Sequence, residues 1–335
     1  MSLNHAQTEA VAHNKGPCMV LAGPGSGKTL TIAKRIEYLI MKHKVRPEEI
    51  LVITFTKYAA WEMKNRTRSI CGPSSYAVTF GTFHGIYYGI LKWAYRLNQS
   101  NLLSDEEKYR ILREILPGID WDQEPEADEE KDYLQELAIE IGNVKNNCMD
   151  IEEYEPVKYT TEKFRKLYRT YEETKKKYRK IDFEDMLIQC RDLFMKRPDI
   201  LKKWQEKFQY ILVDEFQDVN QAQYDVVRML AAPQDNLFVV GDDDQSVYGF
   251  RGAKPGIMKE FMKDYPKARQ ILLDVNYRSS GYIVKGALRV IGNNKIRFEK
   301  KIEAFRKPDE TVHVQEVKDP VQEAEYVLER IREYR

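Results

Sequence analysis

Two short stretches carry residues whose types and spacing suit work on a phosphate. The first is Ala22-Gly23-Pro24-Gly25-Ser26-Gly27-Lys28-Thr29. Glycines at that density let backbone N–H groups curl around an anion, and a helix starting near Lys28 adds partial positive charge. Lys28 is then placed for the β- and γ-phosphates, and the Thr29 hydroxyl for Mg²⁺. The second stretch is Asp214-Glu215, delivered by the apolar run Phe208–Val213. Asp214 suits a Mg²⁺ held through its water shell, and Glu215 suits orienting and deprotonating a water. A glycine turn that binds nothing, or a solvated acidic turn, is the plainer reading of either stretch alone. Together they read as two halves of one nucleotide triphosphatase site.

Other residues fall where such a site can use them. Gln245 follows the apolar run Asn236–Val240 and suits sensing whether a γ-phosphate is present. Arg278 supplies a charge that reaches the same phosphate, and Tyr277 a ring to stack on a base. Gln7 carries both a donor and an acceptor, enough to read an adenine edge; a surface glutamine on a short helix is the plainer view. Tyr248 and Phe250 offer stacking faces beside the charge of Arg251.

Positioning these residues requires strands that end together. Cys18–Leu21, Ile50–Thr54, Ala77–Phe80, Asn236–Val240 and Ile271–Leu273 read as strands, as does Phe208–Val213, with amphipathic helices between several of them. That alternation predicts a parallel α/β sheet flanked by helices, with ligands at the carboxyl ends of its strands. Phe55, Thr56, Thr82, Phe83 and His84 fall at such ends. They suit anchoring one strand of nucleic acid; equally, the rings suit a core and the threonines helix caps. From about Asn98 to Lys207 strand signals disappear and charged helical runs replace them. Within that stretch Lys175–Lys180 reads as a solvated basic face or, more sharply, as a phosphate contact. Val312–Val314 reads as a β-rich piece, and Asp319-Pro320 as the cap of a helix carrying Ala324, Val327, Leu328 and Ile331.

Bulk properties exclude several classes. At 335 residues there is material for more than one core. A net charge of +1 argues against a uniformly basic nucleic-acid binder but leaves room for a local patch. No apolar run approaches the ~20 residues of a membrane span. Four scattered cysteines, Cys18, Cys71, Cys148 and Cys190, lack metal-ligand spacing and read as reduced cytoplasmic thiols.

Taken in order, Gln7, AGPGSGKT, TFT at 54–56, TFH at 82–84, VDEFQD at 213–218, GDDDQSVYGFRGA at 241–253 and NYRSS at 276–280 resemble the UvrD/PcrA/Rep group of superfamily 1 DNA helicases. The resemblance implies a RecA-like P-loop NTPase fold and an ATP- and Mg²⁺-dependent DNA translocase and helicase of 3′→5′ polarity. By position it implies a cofactor site of Gln7, Gly23, Gly25, Ser26, Gly27, Lys28, Thr29, residue 30 and Tyr277. Asp214, Glu215, Gln245 and Arg278 would be catalytic, with Thr29 and Asp214 on the metal. Phe55, Thr56, Thr82, His84, Tyr248 and Phe250 would line a DNA path, with Arg251 coupling it to the nucleotide. Leu30 departs from the arginine usual there, as do Lys57-Tyr58 and Gly249 from the family pattern. The implied layout is a first motor domain in two parts (1–97 and 208–268), a helical insertion (98–207) and the start of a second motor domain (269–335). We expect the chain to be the N-terminal part of a longer monomeric enzyme, able to bind ATP and DNA but slow to hydrolyse and unable to unwind alone. A nucleotide-gated DNA- or partner-binding module is the alternative.

Overall fold

The computed structural model describes residues 3–119, 130–246, 253–254, 256–295, 297–307 and 313–334. In chain order, α1 (His5–Ala12), β1 (Cys18–Ala22), α2 (Lys28–Met41), β2 (Ile50–Thr54), α3 (Lys57–Cys71), β3 (Thr79–Thr82) and α4 (Phe83–Tyr95) come first. Five helices follow: α5 (Asp105–Ile115), α6 (Glu130–Asn146), α7 (Thr161–Lys177), α8 (Phe183–Lys196) and α9 (Pro198–Lys207). The alternation resumes with β4 (Tyr210–Val213), α10 (Gln221–Ala231), β5 (Leu237–Gly241), α11 (Ile257–Asp264) and β6 (Arg269–Leu273). The chain ends in β7 (Val275–Ser280), α12 (Gly281–Ile291), β8 (Glu303–Arg306) and α13 (Pro320–Glu333).

Six strands form one parallel sheet in the order β3-β2-β4-β5-β1-β6. Strands buried on both faces read as continuous apolar runs, which is why Cys18–Leu21 and Ile50–Ile53 show no polar alternation. Successive side chains nonetheless part to opposite faces. On β1, Met19 and Leu21 join a core with α4, α8, α10 and α11, whereas Cys18, Val20 and Ala22 join one with α1 and α2. All parallel strands share one carboxyl edge, so every strand-end candidate arrives on the same side.

Two expectations about boundaries meet a different arrangement. Arg269–Leu273, expected to open a second domain, pairs with β1 from Cys18↔Arg269 to Ala22↔Leu273 and completes the first sheet. An apolar strand beside β1 buries Ile271 and Leu273 better there than in a two-stranded ribbon. The sheet break comes at Asp274, after which β7 and β8 form a separate parallel pair carrying α12. The helical stretch 98–207 also divides. Leu112, Leu134, Leu137, Phe164 and Leu167 of α5, α6 and α7 make a core of their own. Helices α8 and α9 instead pack Cys190, Leu193, Phe194 and Ile200 into the core beneath the sheet.

The last helix forms where Asp319 predicts, the Asp319 carboxylate accepting from Gln322 N (2.9 Å), and none of its residues is buried. His313 and Val314 lie in no strand, and Val312 is outside the described residues. No helix among the described residues is long and apolar enough to cross a membrane.

Candidate functional site

The glycine-rich loop connects β1 to α2, and two of its glycines are conformationally required. Gly25 has φ 66° and Gly27, which caps α2, has φ 86°, both in the left-handed region that side chains disfavour. Space is also closed. A Cβ on Gly25 would lie 2.5 Å from Arg278 Cβ and 2.8 Å from Asn276 Oδ1; one on Gly27 would lie 2.7 Å from Gln7 Nε2. The loop is thus clamped between α1 and β7. Ser26 folds inward, its hydroxyl donating to Gly23 O at 2.7 Å, while Lys28, Thr29 and Leu30 open the first turn of α2.

Lys28 Nζ lies 2.7 Å from Glu215 Oε2, so the two halves expected from sequence meet. Glu215 itself sits at φ 51°, an uncommon conformation for a residue with a side chain, which turns it out of β4 towards the loop. Gln217 knits the strand ends together. Its Nε2 donates to Glu215 Oε2 (3.0 Å) and Asp218 Oδ2 (3.2 Å), and its Oε1 accepts from Asp242 N (3.0 Å). Gln245 lines a cavity of about 470 Å³ together with Gly23, Pro24, Asn276 and Ser279. Arg278 is exposed, its Cβ against the loop.

Burial dominates the carboxylates here. Asp214 is 6% exposed, and that burial, with the Glu215 charge adding to it and Lys28 opposing, pushes it up to about 6. Asp218 is pushed to about 6 for the same reasons, and its Oδ1 is buried without a hydrogen-bond partner. Among the described residues one lysine, Lys28, serves Asp214, Glu215 and Asp218, which leaves that group short of positive charge. A hard divalent cation with oxygen ligands fits that deficit, and a polyphosphate fits the N-terminus of α2 beside Lys28.

Gln7, Tyr277 and the loop come together through a residue the sequence reading passed over. Asn4 caps α1 in a reciprocal pair with Gln7, Gln7 N donating to Asn4 Oδ1 (2.8 Å) and Asn4 N to Gln7 Oε1 (3.1 Å). Asn4 Nδ2 also donates to the Tyr277 hydroxyl (2.9 Å), and Tyr277 N donates to Gly25 O (3.0 Å). Gln7 Nε2 braces the loop at Ser26 O, 2.9 Å away. The Asn-x-x-Gln spacing is the cap signal that could have found Asn4. Lys300 and Arg297, which pair with Asp242–Asp244, carried no comparable signal.

The strand-end aromatics build a second concavity, of about 490 Å³, between the sheet edge and the helices α6 and α8. Phe55, Thr56, Phe83 and His84 line one wall, Ile139, Asn143, Asn146 and Phe183 the other, and Asp218 reaches its floor. Phe83 is buried core, with Phe55 edge-to-face on it at 6.5 Å. His84 packs on Phe183 at 5.4 Å, and burial lowers its pKa while Glu184 opposes, so the ring is neutral near pH 7. Thr56 and Thr82 both cap helices, accepting from Ala59 N (3.0 Å) and Gly85 N (3.1 Å). Thr82 is not among the described residues lining the concavity. Tyr248, Phe250 and Arg251 lie outside the described residues.

The basic run at 175–180 matches neither expectation at Lys175. That side chain is 1% exposed and paired with Asp182, Asp185 and Glu172, because α7 turns this position inward; Lys180 pairs with Glu107. Lys176, Lys177 and Arg179 remain exposed.

Comparison with known proteins agrees with this geometry. The chain is 39% identical to the Bacillus subtilis protein YjcD over 99% of its own length and 44% of that protein's. It is 35% identical to the ATP-dependent DNA helicase PcrA of Staphylococcus aureus and 34% to DNA helicase II of Escherichia coli, covering 99% of itself and 46% of each. The chain therefore spans a little under half the length of these relatives. A family model, the UvrD/REP helicase N-terminal domain, matches residues 3–266, a span that holds the loop, the Asp-Glu strand end and both concavities' sheet-edge residues. On that match, and with relatives aligned along nearly all of it, the chain belongs to the UvrD/REP helicase N-terminal domain family.

Proposed function

We propose that this chain is the nucleotide-driven part of a cytoplasmic, monomeric 3′→5′ DNA helicase, binding ATP with Mg²⁺ and one strand of DNA. The observation that carries the reading is the Lys28–Glu215 contact at 2.7 Å, made beneath a second-unit strand that packs on Gly25. In this reading Lys28 leaves Glu215 for the β- and γ-phosphates, which frees the Glu215 carboxylate to take a proton from water. Thr29 and Asp214 would hold the Mg²⁺, which would neutralise charge developing on the phosphates. Gln245, at the end of β5, and Arg278, whose Cβ lies against Gly25, contact the γ-phosphate. Gln7 braces the loop beside the adenine, and Tyr277 supplies the ring. Because β7 touches the loop directly, loss of the γ-phosphate contacts loosens the packing of 275–307 on the first sheet. The concavity at Phe55 and His84 is the single-strand path, and Asp218 belongs to its floor and to the acidic cluster alike.

Lys28→Ala tests the core of this. Affinity for a fluorescent ATP analogue should fall at least about 100-fold, the scale of losing charge-assisted bonds to phosphate. Unchanged affinity removes the phosphate-loop assignment. DNA-stimulated turnover separates a motor from a nucleotide-gated binding module, which turns over no faster with DNA.

A further inference from the structure

Three consecutive carboxylates, Asp242-Asp243-Asp244, follow β5 and lead directly into Gln245. Their counter-ions come from the segment between α12 and β8. Lys300 is buried, with Nζ 2.5 Å from Asp242 Oδ1, 2.5 Å from Asp243 Oδ1 and 2.8 Å from Asp244 Oδ2. Arg297 donates to both oxygens of Asp244 (2.7 and 2.5 Å), and Phe298 N to Asp243 Oδ2 (2.6 Å).

Asp242 links this cluster to Gln245. One of its oxygens accepts from Lys300, and the other accepts from Gln245 Nε2 at 2.6 Å. An ionised carboxylate only accepts, so it dictates which way round the Gln245 amide sits. The amide nitrogen must turn to Asp242, and the carbonyl and second N–H remain for the cavity that Gln245 shares with Gly23 and Pro24. Without Lys300, Arg297 still answers Asp244, but among the described residues Asp242 and Asp243 repel with no side-chain cation between them. Apart from Gln245 itself, the Asp242 carboxylate then keeps only the weaker hold of Asp244 N at 3.2 Å.

We propose that Lys300 is a positioning residue for Gln245, fixing the amide through Asp242 and doing so only while the unit that carries Lys300 is docked on the first sheet. The proposal rests on the reading of Gln245 as a γ-phosphate contact. It makes γ-phosphate sensing conditional on the inter-unit contact, because the lysine and the glutamine sit on opposite sides of it. A lysine that merely ties the two units together predicts something different: equal weakening of all nucleotides.

The test compares N-methylanthraniloyl-ATP and N-methylanthraniloyl-ADP, each with Mg²⁺, on the full 335-residue chain. Lys300→Met should weaken the ATP analogue about 10-fold and the ADP analogue less than about twofold, the difference being one oriented polar contact. Gln245→Ala should give the same selective loss, and Lys300→Met added to it should cost nothing further, since both act through one amide. If Gln245→Ala is selective but Lys300→Met weakens both analogues equally, or neither, the Lys300 proposal is overturned while the nucleotide reading stands. If Gln245→Ala leaves the preference for ATP intact, the γ-phosphate reading of Gln245 itself falls. Should Lys300→Met fail to fold, Lys300→Met with Asp243→Asn removes one charge of each sign. The same ATP-selective loss is expected there, and its absence counts equally against the proposal.

Discussion

Two buried aspartates, Asp182 and Asp214, are driven in opposite directions. In the helical stretch, Asp182 is 1% exposed yet accepts from Lys145 (2.9 Å), Lys175 (2.7 Å) and the Tyr171 hydroxyl (3.0 Å). Burial works against its charge, and the two ammonium groups outweigh burial, holding it well below the usual range. At the proposed nucleotide pocket, burial works on Asp214 in the same sense, but Lys28 does not offset it and the neighbouring Glu215 adds to it. The first cluster sets two lysines against Asp182, Asp185 and Glu172, and burial still raises Asp185. Among the described residues the second sets Lys28 alone against Asp214, Glu215 and Asp218, which leaves more room for an exchangeable cation. Burial alone does not tell a structural ion network from a binding site; the balance of charge within it does.

The largest effect should come from breaking the first cluster. Asp182→Ala takes from Lys145 and Lys175 the least exposed carboxylate that both contact, and removes the cap that accepts from Asp185 N. Breaking a buried pair costs about 3–5 kcal/mol, so urea unfolding of the variant should begin in the helical stretch. A loss below about 1 kcal/mol would erase the contrast drawn above.

Asp214 in the second cluster should respond in the reverse sense. Between 3.8 and about 6, folded Asp214 keeps a proton that the unfolded chain has released. Stability therefore falls as pH rises through that window, and the penalty is fully present above it. Asp214→Asn carries no such charge. It should be more stable than the parent at pH 7.5 by up to about 3 kcal/mol, with the gain vanishing near pH 3.5. Mg²⁺ with an ATP analogue should raise the melting temperature of the parent and not of the variant. A variant less stable than the parent at pH 7.5 would show that Asp214 is already compensated.

These clusters also mark where sequence reading stops. The phosphate loop and the Asp-Glu strand end were legible because each is local: glycine spacing, an apolar strand, then the charges. The sheet was legible because doubly buried parallel strands leave unbroken apolar runs. Lys175 was not, since one turn of rotation decides whether a lysine in a basic run meets water or Asp182. Lys300 was invisible for a related reason: it lies 56 to 58 positions from the carboxylates it serves. The strand at Ile271–Leu273 was legible, but the domain boundary was drawn ahead of it at 269, because its pattern does not state its partner. Whether Phe55 is core or contact stayed open in sequence, and the fold leaves it half-buried between the two.

That ambiguity can be measured. If Phe55 stacks on a base, Phe55→Ala should weaken binding of oligothymidine by about 1–3 kcal/mol and leave the ATP analogue unaffected. If the ring serves only the edge-to-face contact with Phe83, stability falls and DNA affinity does not. His84 sharpens the result: neutral near pH 7, it should contribute little salt-dependent affinity, so the salt slope of His84→Ala should match the parent.

The smallest expected effect is the most discriminating. Thr56 and Thr82 perform one structural task, each accepting a backbone N–H in the first turn of its helix. Losing such a cap costs about 1 kcal/mol, so Thr56→Ala and Thr82→Ala should be destabilised alike. Only Thr56 is exposed on the wall of the concavity, two residues from the strand end and next to Phe55. Oligothymidine affinity should therefore fall in Thr56→Ala by severalfold, about one hydrogen bond's worth, and stay level in Thr82→Ala. Equal losses of affinity would mean that the DNA path runs past β3 as well, and that the concavity between the sheet edge and α6 is only part of it.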